Sequence, residues 1–189
     1  LFNRWLAKLL PFRLFDLTHF IVSRPLPSIK PAATVSVIIP ARNEAGNIEA
    51  AIQRTPMMGN GTEIIFVEGN STDNTWETIQ KIIENYPDRP IRAFQQPGKG
   101  KGDAVRVGFD KASGDVLMIL DADLTVPPES LPQFYDAYIS GKAEFVNGVR
   151  LVYPQEKKAM RFFNLLGNKF FSIAFSWLLG SNIKDTLCG

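Results

Sequence analysis

The feature that most constrains this chain is a repeat of short apolar runs, each followed by a segment with helical spacing. Val35-Ser36-Val37-Ile38-Ile39-Pro40 precedes Glu44 to Arg54, where Ile48, Ala51 and Ile52 recur at helical intervals. Glu63-Ile64-Ile65-Phe66-Val67 precedes the capping residue types Ser71-Thr72-Asp73 and a helix carrying Trp76, Ile79 and Ile83. Ile91 to Gln95 reads as a third, weaker strand. Gly102 to Ala112 then places Val105, Gly108, Phe109 and Ala112 on one helical face, and Val116 to Leu120 reads as a buried strand. Pro128 opens a further helix with Leu131, Phe134, Tyr135 and Tyr138 on one stripe, and Phe145 and Val146 mark another strand. Strands that are apolar throughout and alternate with helices predict an α/β fold with a mostly parallel sheet covered on both faces. Such folds bind ligands beyond the carboxyl ends of their strands.

Those ends are polar. Pro40-Ala41-Arg42-Asn43-Glu44 follows the first strand, Glu68-Gly69-Asn70-Ser71-Thr72-Asp73 the second, and Asp121-Ala122-Asp123 the most apolar one. Asn43 and Ser71 are also good helix caps, and that plainer role stands beside a binding role. Strand alternation would bring Asp121 and Asp123 out on one face, where two carboxylates repel unless a cation lies between them. Mg²⁺ or Mn²⁺, which bind through one or two carboxylates together with substrate phosphates, match that need. The segment Pro97-Gly98-Lys99-Gly100-Lys101-Gly102-Asp103 offers backbone N–H groups and cations to an anion. It fits neither the P-loop nor the Gly-x-Gly-x-x-Gly spacing.

Composition removes other chemistries. A single Cys and a single His among 189 residues exclude an intrachain disulfide framework, a Cys/His zinc site and nearly every His-based triad. The formal charge of +2 is too small to argue for nucleic-acid binding. His19 reads as a packed or solvent-facing residue without a chemical role. Asn60-Gly61-Thr62 and Asn70-Ser71-Thr72 match glycosylation sequons, but the cysteine-poor composition points to the cytoplasm.

The order of the three strand ends, with Gly100-Lys101-Gly102-Asp103-Ala104-Val105-Arg106 between the second and third, resembles the family 2 glycosyltransferases from Val35 to about Leu151. The resemblance implies the GT-A fold, a mostly parallel central sheet flanked by helices that binds a nucleotide-sugar donor. Pro127-Pro128-Glu129 and Gly148-Val149-Arg150 look most like the branch that loads a sugar onto a polyprenyl or dolichyl phosphate. By that resemblance Pro40, Ala41 and Glu44 meet the nucleoside, Glu68 the base or ribose, and Asp121 and Asp123 the metal and pyrophosphate. Asn43, Asp73, Lys101 and Ala122 complete the expected donor set. Arg150 and Arg161 would face the acceptor phosphate, with Arg150 carried to the acidic edge by the strand of Phe145 and Val146. Asp185 is the late acid that could act as base if the acceptor were a sugar hydroxyl. Two departures stand out: Gly69 occupies a position where the family usually has a second acid, and Thr125 one where polyprenyl-phosphate mannose synthases usually have Gln.

The expected organisation is therefore a linker or the tail of a preceding domain over 1–33, a donor-binding domain over 34–155 and an acceptor-side helix over 156–189. The first segment is Pro-rich after Pro25 and resembles the tail of a methyltransferase domain. The chain reads as a piece of a longer protein. Between 159 and 180, Phe162, Phe163, Leu166, Phe170, Phe171, Phe175 and Trp177 crowd a helical stretch too polar for a clean membrane span. With Lys157, Lys158 and Arg161 beside it, the stretch suits peripheral attachment at the inner face of an anionic membrane. A saccharide acceptor, and a nucleotide-binding module without turnover, are the alternatives to lipid-phosphate transfer.

Overall fold

The computed structural model describes residues 29–141, 143–148 and 162–179. Four parallel strands lie in the order β3-β2-β1-β4, with β1 over Val35–Ala41, β2 over Thr62–Glu68, β3 over Ile91–Gln95 and β4 over Val116–Ile119. β1 pairs with β2 from Val35 opposite Thr62 to Ala41 opposite Glu68, and with β4 from Val35 opposite Val116 to Ile38 opposite Ile119. β-branched residues dominate β1 and β2, and both strands are almost wholly buried.

A 3-10 turn at Ala45–Asn47 and helix α1 over Ile48–Arg54 connect β1 to β2, and α2 over Thr75–Glu84 connects β2 to β3. Their apolar stripes pack on the sheet face formed by Val35, Val37, Ile39, Ile64 and Phe66. Helix α3 over Lys101–Lys111 carries the chain from β3 back past β1, and it packs on the opposite face against Ile38, Ile65 and Val67. That change of face is what right-handed crossovers require when the chain reverses direction across a sheet. It leaves a crevice between the segments that follow β1 and β4, at the point where such folds receive ligands. A 3-10 turn at Pro128–Ser130 leads into α4 over Leu131–Ile139, and Leu131 and Tyr135 return to the larger core. Helix α5 covers Phe162–Leu179.

Three expectations need correction. The buried stripe of α3 is Ala104 and Gly108 with Val107 and Ala112 beside them, while Phe109 is exposed. The helix lies so close that a Cβ on Gly108 would come within 2.4 Å of Ile38 Cγ2, so small residues choose the contact face. β4 is not covered on both faces, since Leu117 and Ile119 remain 43% and 39% exposed while Val116 and Met118 enter the core. No strand forms over 143–148, where Phe145 is 84% exposed.

Candidate functional site

A cavity of about 300 Å³ opens at the carboxyl edge of the sheet on the α3 side. Pro40, Ala41, Arg42 and Glu44 line it from the end of β1, Val67 and Gly69 from β2, and Gln96 from just past β3. Gly100, Lys101 and Ala104 come from the start of α3, and Asp121, Ala122 and Asp123 from the segment after β4. The sequence-predicted Pro40, Ala41, Glu44, Lys101, Asp121, Ala122 and Asp123 thus meet in one place.

The two acids leave from a turn just past β4, where the strand's alternation of buried and outward residues continues over 120–123. β4 ends at Ile119, the Leu124 N–H donates to the Asp121 carbonyl at 3.0 Å, and Leu124 takes φ 54°. Ala122, 4% exposed, points into the larger core, which sends its neighbours outward. Lys101 Nζ sits 2.6 Å from Asp121 Oδ1, and Asp123 Oδ1 accepts the Thr125 N–H at 3.0 Å. Gly100, at φ 86° where a side chain would be strained, turns the chain into α3 and sets Lys101 beside Asp121.

Asn43, Asp73 and Glu68 are not among the lining residues. Asn43, at φ 57°, donates its N–H to Ser71 Oγ at 3.0 Å and accepts the Thr72 N–H at 2.8 Å, and so latches the β1 loop to the β2 loop. Asp73 accepts from the Thr75 hydroxyl at 2.5 Å and from the Thr75 N–H at 3.1 Å. The hydroxyl bond leads the effects that hold its carboxyl below the usual range. Glu68 shares the face of Ile64 and Phe66, is 2% exposed, and accepts the Ser71 N–H at 2.5 Å. Asn43, Asn70 and Leu124 are the non-glycine residues with left-handed backbone among the described ones, and each follows a strand end whose neighbouring residues line the cavity. Such strain gathers where surrounding contacts fix a binding geometry. Gln96 went unnoticed in the sequence, although counting on from Phe94 by strand alternation places it on the α3 face. Arg150, Arg161 and Asp185 lie outside the described residues.

The donor set fits a hard divalent cation that also draws on ligand oxygens. Among the described residues no group of three or more His, Cys, Asp or Glu could hold a metal alone. Two carboxylates at the mouth of a cavity that also carries a lysine are what Mg²⁺ or Mn²⁺ uses when phosphate oxygens complete the shell.

An open parallel sheet whose switch-point crevice combines paired acids, a lysine and a glycine-turned helix start defines a domain of the GT-A fold. Residues 36–183 match the model for glycosyl transferase family 2, and the chain belongs to that family. It is similar to a dolichol-phosphate mannosyltransferase of Pyrococcus furiosus, 42% identical over 109 residues, which are 57% of this chain and 30% of that protein. An undecaprenyl-phosphate 4-deoxy-4-formamido-L-arabinose transferase of Yersinia pestis is 33% identical over 108 residues, 55% of this chain and 33% of its own. The chain thus spans about a third of these curated relatives. A mannosyltransferase from Pyrobaculum calidifontis, solved with GDP-Man and Mn²⁺, shares the fold with a TM-score of 0.52 at 24% identity, over 77% of this chain and 40% of that one.

Proposed function

We propose that this protein transfers a sugar from a nucleotide-sugar donor to a polyprenyl phosphate. The observation that carries the donor half is the convergence of Asp121, Asp123 and Lys101 on one cavity at the switch point of the sheet. Asp121 and Asp123 would hold Mg²⁺ or Mn²⁺, which when bound supplies positive charge for a leaving diphosphate. Lys101 adds a second cation beside the same anion, and Pro40, Ala41 and Glu44 flank the nucleoside. The acceptor oxygen attacks the anomeric carbon from the face opposite the diphosphate, the bond from that carbon to the diphosphate oxygen breaks, and the configuration inverts. A phosphate acceptor is already ionised and a diphosphate leaves without protonation, so neither step needs a histidine as base or acid.

The acceptor half is supported by the two curated relatives, both named for transfers involving polyprenyl phosphates. It is also supported by α5, on which Phe170, Phe171, Ile173, Phe175, Trp177 and Leu178 are exposed. Among the described residues no helix is long and apolar enough to cross a membrane. An aromatic helix of this kind suits peripheral attachment at the cytoplasmic leaflet, with Arg150 and Arg161 gripping the acceptor phosphate. The test is full-length protein with a panel of labelled nucleotide sugars and polyprenyl phosphate in anionic vesicles. Label is expected in the lipid extract with Mg²⁺ or Mn²⁺ and not with a chelator; label released only to water, or passed to a saccharide, overturns the acceptor assignment.

A further inference from the structure

Gln96 is the one carboxamide among the residues lining the cavity, and it is 5% exposed. Its backbone N–H donates to the Glu68 carbonyl at 3.0 Å, which continues the β2–β3 ladder one residue past β3 and fixes where the side chain starts. Its Oε1 is buried and has no hydrogen-bond partner. A buried acceptor left unpaired is costly, and native structures keep one where a ligand completes it.

The place of Gln96 in the sheet says which part of a ligand it meets. The paired acids and Lys101 fix the anionic end of the donor at β4, while Gln96 stands at β3, three strand spacings or about 14 Å across the order β3-β2-β1-β4. Between them β2 offers no polar side chain: Val67 is apolar, Gly69 has none, and Glu68 is turned to the other face to hold the Ser71 amide. Ala104 closes the space from α3 with a small side chain. The walls that β2 and α3 give Gln96 are therefore small or apolar, with the Arg42 side chain beside Gly69, and suit a flat ring. A carboxamide turns easily about its last torsion and offers a donor and an acceptor side by side, the pattern that complements a base edge.

We infer that Gln96 reads the nucleobase of the donor through paired hydrogen bonds from its amide, an inference that rests on the nucleotide-sugar reading above. The test is calorimetry on full-length protein with Mn²⁺, using UDP, GDP, ADP and CDP, and ribose 5-diphosphate as the base-free probe. The parent should favour one nucleotide over the base-free probe. Gln96→Leu should lose roughly tenfold on that nucleotide, as two neutral hydrogen bonds imply, and nothing on the base-free probe. Gln96→Glu, which keeps the shape but offers only acceptors, should reorder the four nucleotides. Equal loss on nucleotide and probe, or unchanged affinities in Gln96→Leu, overturns the inference. Should Gln96→Leu fail to fold, an unchanged ranking in Gln96→Glu overturns it instead. A parent that binds none of the four nucleotides overturns the donor reading itself, which is a different result from a parent with base preferences that ignore Gln96.

Discussion

On the face of the sheet covered by α1 and α2, the core runs without interruption from Val35 through Phe66 to Tyr135 and draws on every strand and on α4. On the α3 face the buried cluster is only Ile38, Ile65, Val67 and Ala104, and Leu117 and Ile119 stay exposed. The cavity opens on this second, thinner face. The contrast follows from topology: helices on two consecutive right-handed crossovers share one face, whereas the single return crossover through α3 covers only part of the other. Stability is concentrated where no ligand goes, and the incompletely covered face keeps room for one.

The largest effect should come from the thick face. Phe66 is fully buried, and Phe66→Ala should cost about 3–5 kcal/mol, read as the urea midpoint of unfolding. A loss no larger than that of an exposed residue would mean that the α1/α2 face is not the main core. Next comes Asp123→Asn, which leaves both cores untouched. It should lower sugar transfer roughly 100-fold, or about 2.7 kcal/mol, with unfolding near that of the parent. Nucleotide affinity in this variant should cease to respond to Mn²⁺, and an unchanged response would move the metal away from the acid turn. Gly108→Ala probes the thin face. Its Cβ would fall 2.4 Å from Ile38 Cγ2, so α3 must shift, at about 1–3 kcal/mol. Because the start of α3 carries Lys101, donor affinity should fall as well, which Phe66→Ala should not cause in the folded fraction.

The sequence made the sheet legible because β1 and β2 are continuous apolar runs whose environment agrees with their propensity. The helix starts and the three polar strand ends follow from the same pattern, and seven of the ten residues expected at the donor and metal site line the cavity. What was missed has physical causes. The face of α3 was assigned by hydrophobicity, but contact with the sheet is so close that Ala104 and Gly108 win over Phe109. The resemblance implies a base or ribose contact for Glu68, whereas alternation from Ile64 and Phe66 puts its side chain on the other face, outside the cavity lining. Asp121 and Asp123 share a side as alternation expects, but the turn closed by Leu124 at φ 54° has no glycine to announce it.

The smallest effect tests the end of the strands away from the cavity. Near the start of β2, burial of Glu63 by itself would raise its carboxyl, but it is outweighed by hydrogen bonds from the Ser36 hydroxyl at 2.5 Å and from the Ser113 N–H and hydroxyl at 2.6 and 2.8 Å, with Arg92 3.0 Å away. The net result lies below the ordinary 4.5. A carboxyl lowered on folding stabilises the native state above its unfolded value, and that contribution is lost as pH falls through the folded value. Glu63 ties the β1–β2 edge to the loop between α3 and β4, so the loss should loosen the base of the thin face and leave the donor end alone. Thermal unfolding of parent and Glu63→Gln should therefore differ at pH 7 and converge as pH drops below about 4, with nucleotide affinity at pH 7 equal in the two. A gap that stays constant down to pH 3 would assign the effect to packing of the side chain and not to its charge. A matching loss of nucleotide affinity would mean that the two ends of the α3 face are coupled, and the division between a stabilising face and a binding face would have to be redrawn along the strands.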